Sequence, residues 1–182
     1  MKRNFRADHP NELFVSDFTY VATWSGFVYV AFIIDVFSRF IVGWRVASSM
    51  TTDLVMDALS MAVWNRRASL LAGVIVHSDA GSQYLSVRYT ERLAETGARP
   101  SIGSIGDSYD NSLAESVNGL YKTELIRRRG PWRHADHVEL ETLTYIEWWN
   151  QVPLRADGVR YVHLLIPNTP SCMGSKGHRG AR

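Results

Sequence analysis

Asp17 lies inside the apolar, β-branched run 13–21, Asp79 follows a second apolar run, and Glu115 opens a helical pattern behind a glycine-rich loop. A carboxylate set against a core needs compensation, because burying an unpaired charge is strongly unfavourable. Magnesium can supply it. This hard cation prefers oxygen ligands, and two such ions about 3.5–4 Å apart can activate a nucleophile and stabilise the leaving oxygen in phosphoryl displacement. Three acids from a strand, a strand end and a helix would suit that task if the fold made them converge. Each also has a plain structural reading. Asp17 could pair with a buried arginine, Asp79 could cap the turn at Gly81, and Ser112-Leu113-Ala114-Glu115 matches a helix capping box.

Other polar positions invite weaker readings. Lys122 lies seven residues after Glu115, about two helical turns, and so should share its face and could hold a phosphate near it. Its plain alternative is a solvated helix lysine. Gln83 and Asn111 could order a metal shell or DNA, or simply close turns. His77, two residues before Asp79, reads as structural, and Asp35, which could be a fourth acid near the metals, is expected to pair with Arg39. Arg127, Arg128 and Arg129 end a helical pattern; they could follow a phosphate backbone or complement the helix C-terminus. Trp24, Trp44, Trp64, Trp132, Trp148 and Trp149 read as packing residues.

The elements that must position these groups follow from hydrophobic period. Runs 13–21, 27–34 and 39–46 predict three strands joined too tightly for parallel crossovers, hence an antiparallel meander; the second, nearly all apolar, should be covered on both faces. Thr51, Thr52 and Asp53 offer capping side chains for a helix ending near Arg66. A fourth, buried strand is expected over 71–76, delivering His77-Ser78-Asp79 to its end. A helix over 86–96 closes at Gly97, and a short fifth strand spans 98–102. After the loop 103–111, helices are predicted over 112–128 and 134–151, the latter with Leu140, Leu143, Ile146 and Trp149 as its apolar stripe. Beyond 151 the periodicity fades among Pro153, Pro167 and Pro170, so the organisation read is a core over 1–151 and a poorly ordered tail over 152–182.

Composition bounds the rest. The 182 residues are 46% apolar and 12% aromatic, enough for one core, and lack both a membrane-length apolar run and a signal-like start. A soluble, cytoplasmic protein is expected. Cys172 is the single cysteine, so no internal disulfide is implied. A formal charge of +2 permits a nucleic-acid partner without identifying one.

Four motifs, taken in order, carry a resemblance: Val15-Ser16-Asp17-Phe18-Thr19-Tyr20; Ile34-Asp35-Val36-Phe37-Ser38-Arg39 with Val42-Gly43-Trp44; His77-Ser78-Asp79-Ala80-Gly81-Ser82-Gln83-Tyr84; and Tyr109-Asp110-Asn111-Ser112-Leu113-Ala114-Glu115-Ser116. Between Asp79 and Glu115 stand the 35 residues 80–114. The set resembles the catalytic core of bacterial insertion-sequence transposases of the retroviral-integrase type. That resemblance implies an α/β, ribonuclease H-like fold with a mixed five-stranded sheet flanked by helices. It also implies an Asp-Asp-Glu site of Asp17, Asp79 and Glu115 holding Mg2+, or Mn2+, for DNA cleavage and strand transfer. The implied partners are element-end and target DNA, further copies of the chain, and a helix-turn-helix region or partner chain that reads the ends; the implied location is the nucleoid. The pattern breaks off after Trp148-Trp149-Asn150, where Val152-Pro153-Leu154-Arg155 does not match the family's usual ending; a reading-frame disruption would explain that. A truncated remnant that binds DNA without chemistry, and a related nuclease that cuts without joining, are the competing readings.

Overall fold

The structure, a computed structural model, describes residues 7–67, 71–103 and 112–151. Five strands form one sheet: β1 (Leu13–Thr23), β2 (Gly26–Asp35), β3 (Ile41–Ala47), β4 (Ile75–Ser78) and β5 (Arg99–Ile102), in the order β3-β2-β1-β4-β5. The first three are antiparallel, as their short connections require, whereas β4 and β5 run parallel to β1. The connection between β3 and β4 contains α1 (Thr52–Arg66), and that between β4 and β5 contains α2 (Val87–Glu95). After β5 come α3 (Ser112–Tyr121), a π-helical stretch Lys122–Ile126, the single turn α4 (Arg127–Arg129) and α5 (Ala135–Gln151).

Alternation along the strands divides the core in two. On β1 and β2, Leu13, Val15, Val28, Val30, Phe32 and Ile34 face one side and pack with α3 and α5. Phe14, Ala31 and Ile33 face the other and pack with α1 and α2. Coverage on both faces accounts for the continuous apolar run of β2. The close approach of α1 to β3 depends on Gly43. A Cβ there would overlap the Ala58 carbonyl oxygen and stand 2.9 Å from the Ala62 Cβ. Gly43→Ala should therefore cost about 1–3 kcal/mol or more by forcing helix and strand apart, read as a lower denaturation midpoint; an unchanged midpoint would refute this packing.

Several local expectations are corrected. β3 begins at Ile41 rather than Arg39, because Arg39 sits at φ 59 in a turn closed by its N–H donating to the Asp35 carbonyl at 2.8 Å. β4 spans Ile75–Ser78 rather than 71–76: Gly73 at φ 87 and a Val74 N–H bond to the Leu71 carbonyl make a turn of its first half. His77 therefore lies within the strand. Thr51 flanks α1 without a side-chain cap, and Asp53 instead pairs with Arg88 at 2.9 Å. Ser86 does cap α2, and Gly97 takes φ 75 at its end, as its position after the helical pattern predicts. On α5 the buried face is Val138, Thr142, Tyr145, Ile146, Trp148 and Trp149; Leu140 and Leu143 point to solvent. Four tryptophans pack in the core, but Trp24 in the β1–β2 turn and Trp64 on the outer face of α1 are exposed.

Candidate active site

The register of β1 and β4 is what brings the first two acids together. Val15 pairs with His77 and Ser16 with Ser78, so the next residue on each chain, Asp17 and Asp79, reaches the same level where β4 ends. Strand neighbours lie about 4.8 Å apart. Asp17 faces the α3 side, and Glu115 enters from the first turn of α3. Among the candidate acids Asp17 is the partly buried one, whereas Asp79 and Glu115 are exposed.

The Asp17 carboxyl is held from two sides. The Phe18 N–H donates to its Oδ1 at 2.8 Å, and Asn118 Nδ2 donates to its Oδ2 at 2.8 Å. Its pKa is nevertheless raised from 3.8 to about 6. Burial is the largest cause, the repulsion of Asp79 and Glu115 adds to it, and the two hydrogen bonds oppose it. Both other acids thus bear electrostatically on Asp17. Among the described residues, no three His, Cys, Asp or Glu side chains stand at metal-holding spacing.

Beneath the acids the floor is neutral. The Ser16 hydroxyl donates to the phenol of the fully buried Tyr84 at 3.2 Å. Burial first, with Tyr89, Asp17 and Asp79 adding, pushes that phenol well above its ordinary range and keeps it protonated. Phe18 and Tyr89 lean on the same ring at 6.3 and 5.4 Å. His77 is fully buried, with Nδ1 3.1 Å from the Ser101 hydroxyl of β5, the position that its structural reading expects.

The remaining predicted site residues scatter. Gln83 is buried in the turn after Asp79, where Gly81 accepts the N–H groups of Tyr84 and Leu85; its carbonyl accepts the Ser86 hydroxyl at 2.8 Å. Asn111 lies outside the described residues. Lys122 begins the π-helical stretch and sits 4.5 Å from the centre of the Tyr20 ring. Of the arginines, Arg128 is paired with buried Glu124 at 2.7 Å and Arg129 with Glu141 at 2.6 Å, while Arg127 is exposed. Asp35 binds Arg66 at 3.2 Å rather than Arg39.

Asn118 is the residue that sequence reasoning missed. It sits nine-tenths buried, three residues after Glu115 and four before Lys122, and its Oδ1 is buried without a hydrogen-bond partner. The signal was available: Ala114, Val117, Asn118 and Tyr121 form one helical stripe, and only the asparagine in it is an amide.

Comparison with known proteins agrees with this architecture. Two patterns, each described as an integrase core domain, match residues 7–108 and 96–153. A transposase for insertion sequence element IS629 from Shigella sonnei is 58% identical over 150 residues, covering 82% of this chain and 49% of that protein. A transposase for insertion sequence element IS904 from Lactococcus lactis is 38% identical, covering 86% of this chain and 61% of its own length. The chain thus spans about half the length of the first of these relatives and less than two thirds of the second. Among solved structures, the HTLV-2 integrase catalytic core domain in complex with magnesium superposes with a TM-score of 0.60 at 16% identity, covering 85% of this chain and 96% of that one. A chain of a simian T-cell lymphotropic virus intasome in complex with PP2A regulatory subunit B56 gamma gives 0.67 at 15% identity, covering 97% of this chain and 62% of that one. These likenesses agree with the strand order in describing a ribonuclease H-like fold, and no described helix is long and apolar enough to cross a membrane. With a matching pattern over more than half its length, the chain belongs to the integrase core domain family.

Proposed function

We propose that this chain is the catalytic core of a DNA transposase, with Asp17, Asp79 and Glu115 as ligands for Mg2+ or Mn2+ beside a scissile phosphodiester. The observation that carries the reading is the electrostatic state of Asp17: a half-buried carboxyl, gripped by Asn118 and repelled by two further acids, one just past the end of β4 and one on α3. A repulsive set of oxygen donors is what a hard divalent cation relieves. The donor chemistry, carboxylate oxygens whose charges bear on one another, fits such an ion. Bound there, the metal would activate water or a 3′-hydroxyl and offset charge on the phosphate oxygens.

The protein's own groups do the positioning. Asn118 keeps Oδ2 of Asp17 in one orientation, and the neutral Tyr84 below admits no competing charge. Lys122 is the best candidate to hold a DNA phosphate, because its ammonium has no carboxylate partner among the described residues, while Arg128 and Arg129 already serve Glu124 and Glu141. Gln83 supports the turn behind Asp79; Asn111 and Arg127 are weaker candidates for DNA contact. The partners in this reading are element-end and target DNA in the nucleoid, further copies of the chain, and a separate helix-turn-helix segment or chain that reads the ends. The core is read as 1–151 and the remainder as a tail.

The test is a strand-transfer assay on DNA carrying the element's ends. Joined product should form with magnesium or manganese and disappear with a chelator. Joining that persists undiminished in Asp79→Asn would reject the assigned acids, and cutting without joining would favour a nuclease.

A further inference from the structure

Beyond the apolar packing of α3 on β1, two side-chain contacts link α3 and its extension to that strand. Asn118 meets Asp17; one helical turn on, Lys122 meets Tyr20, three residues further along the strand. The Lys122 ammonium lies 4.5 Å from the Tyr20 ring centre. That ring is braced edge-on by Phe27 of β2, at 5.5 Å and 87°. The hairpin carrying both rings is itself pinned, since Trp24 donates its N–H to the Trp132 carbonyl at 2.9 Å and Ser25 its hydroxyl to the Arg133 carbonyl at 3.0 Å. Tyr20 and Phe27 are both more than half exposed, so core packing does not account for them.

We propose that Tyr20 is a positioning residue for Lys122: its ring face, held by Phe27, fixes the ammonium one turn beyond Asn118 so that it meets a DNA phosphate already in place. The inference rests on the DNA-processing reading above. A lysine carries four rotatable stem bonds, and ordering them on binding weakens the contact that results. An aromatic face attracts the cation through its quadrupole and restricts those rotors beforehand. Lys122 is also the first residue of the π-helical stretch, and such insertions are frequent at functional sites.

The experiment is a double-mutant cycle on the full chain, binding a mixed-sequence DNA duplex in chelator so that nothing is cut. Tyr20→Leu, which keeps an apolar side chain but removes the π face, should weaken binding about two- to fivefold, and Tyr20→Phe should restore it. In a Lys122→Gln background, Tyr20→Leu should have no further effect. Lys122→Gln should also lower the slope of log affinity against log salt by about one. An equal Tyr20→Leu effect in both backgrounds would show Tyr20 acting on DNA directly, by stacking, and would overturn the proposal. No effect in either background overturns it as well. Absence of binding by the unsubstituted chain would instead remove the DNA reading itself, and the inference with it.

Discussion

Asp17→Asn should abolish strand transfer while making the metal-free protein more stable at neutral pH. On the proposed reading the activity loss is about a thousandfold or more, because the charge removed is one that would help hold the metal, an effect of several kcal/mol. The stability gain has a worked sign. The folded pKa of Asp17, about 6, lies above the unfolded 3.8. Its contribution to stability is therefore fully present below 3.8 and is lost as pH rises through about 6. At neutral pH the folded protein holds an ionised carboxyl against burial and two like charges, a strain of at most about 3 kcal/mol that partial solvent access reduces to about 1–2 kcal/mol. The substitution removes the charge and keeps the shape. The hydrogen bond to Asn118 also survives, because that amide can turn its unpartnered Oδ1 toward the new donor. Denaturation in chelator should show the variant more stable above pH 6, with the gap closing as pH falls toward 3.8. Magnesium should then stabilise the unsubstituted protein and not the variant. A gap constant across that range, or a variant less stable at neutral pH, would mean that Asp17 is a structural acid after all.

The largest stability loss is expected at Asp35, far from any chemistry. Its carboxylate is wholly buried and collects four donors: the N–H groups of Asn11 at 3.2 Å, Phe37 at 2.9 Å and Ser38 at 3.3 Å, and Arg66 Nη2 at 3.2 Å. One side chain thus secures the approach to β1, the β2–β3 turn and the end of α1. Asp35→Ala strands three N–H groups and a half-buried guanidinium together, and should cost about 3–5 kcal/mol. Arg66→Met should cost clearly less, because the three N–H donors remain on the carboxylate and Phe40 can pack against the new side chain where the guanidinium now lies 5.9 Å from its ring. Urea titration of both variants gives the comparison. Equal losses, or an Asp35→Ala loss below about 1 kcal/mol, would show that the network is not what closes this end of the sheet.

These two acids mark how far the sequence alone could be read. The order of strands and helices is legible because short apolar, β-branched runs alternate with longer stretches of helical period, although the starts of β3 and β4 are not, and the acids stand out as charges against apolar runs. Asp35 stood out for the same reason, but its partner did not: Arg66 is 31 residues away, and an adjacent arginine looked nearer than the folded chain makes it. The same limit hid the pairing of Arg129 with Glu141, so a run of basic residues read as a DNA surface is largely committed to intramolecular ion pairs. On α5, leucines at 140 and 143 outweighed Thr142 and Tyr145 in the pattern. The packing chose the latter because Thr142 binds the Tyr121 hydroxyl at 2.7 Å inside the core. Asn118 was passed over because an asparagine in a helix reads as solvated until a strand acid is known to lie opposite.

The parallel pairing of β1 with β4, and the arrival of Glu115 only after β5, also set the order in which the three acids can meet as the chain folds. A chain still leaving the ribosome presents Asp17 early, but it lacks the neighbouring strand until α1 has crossed over and the third acid until nearly two thirds of the sequence has emerged. Local hairpin formation by β1, β2 and β3 can run ahead without bringing the three acids together. The three acids can therefore meet only once α3 packs onto a sheet that already holds β4.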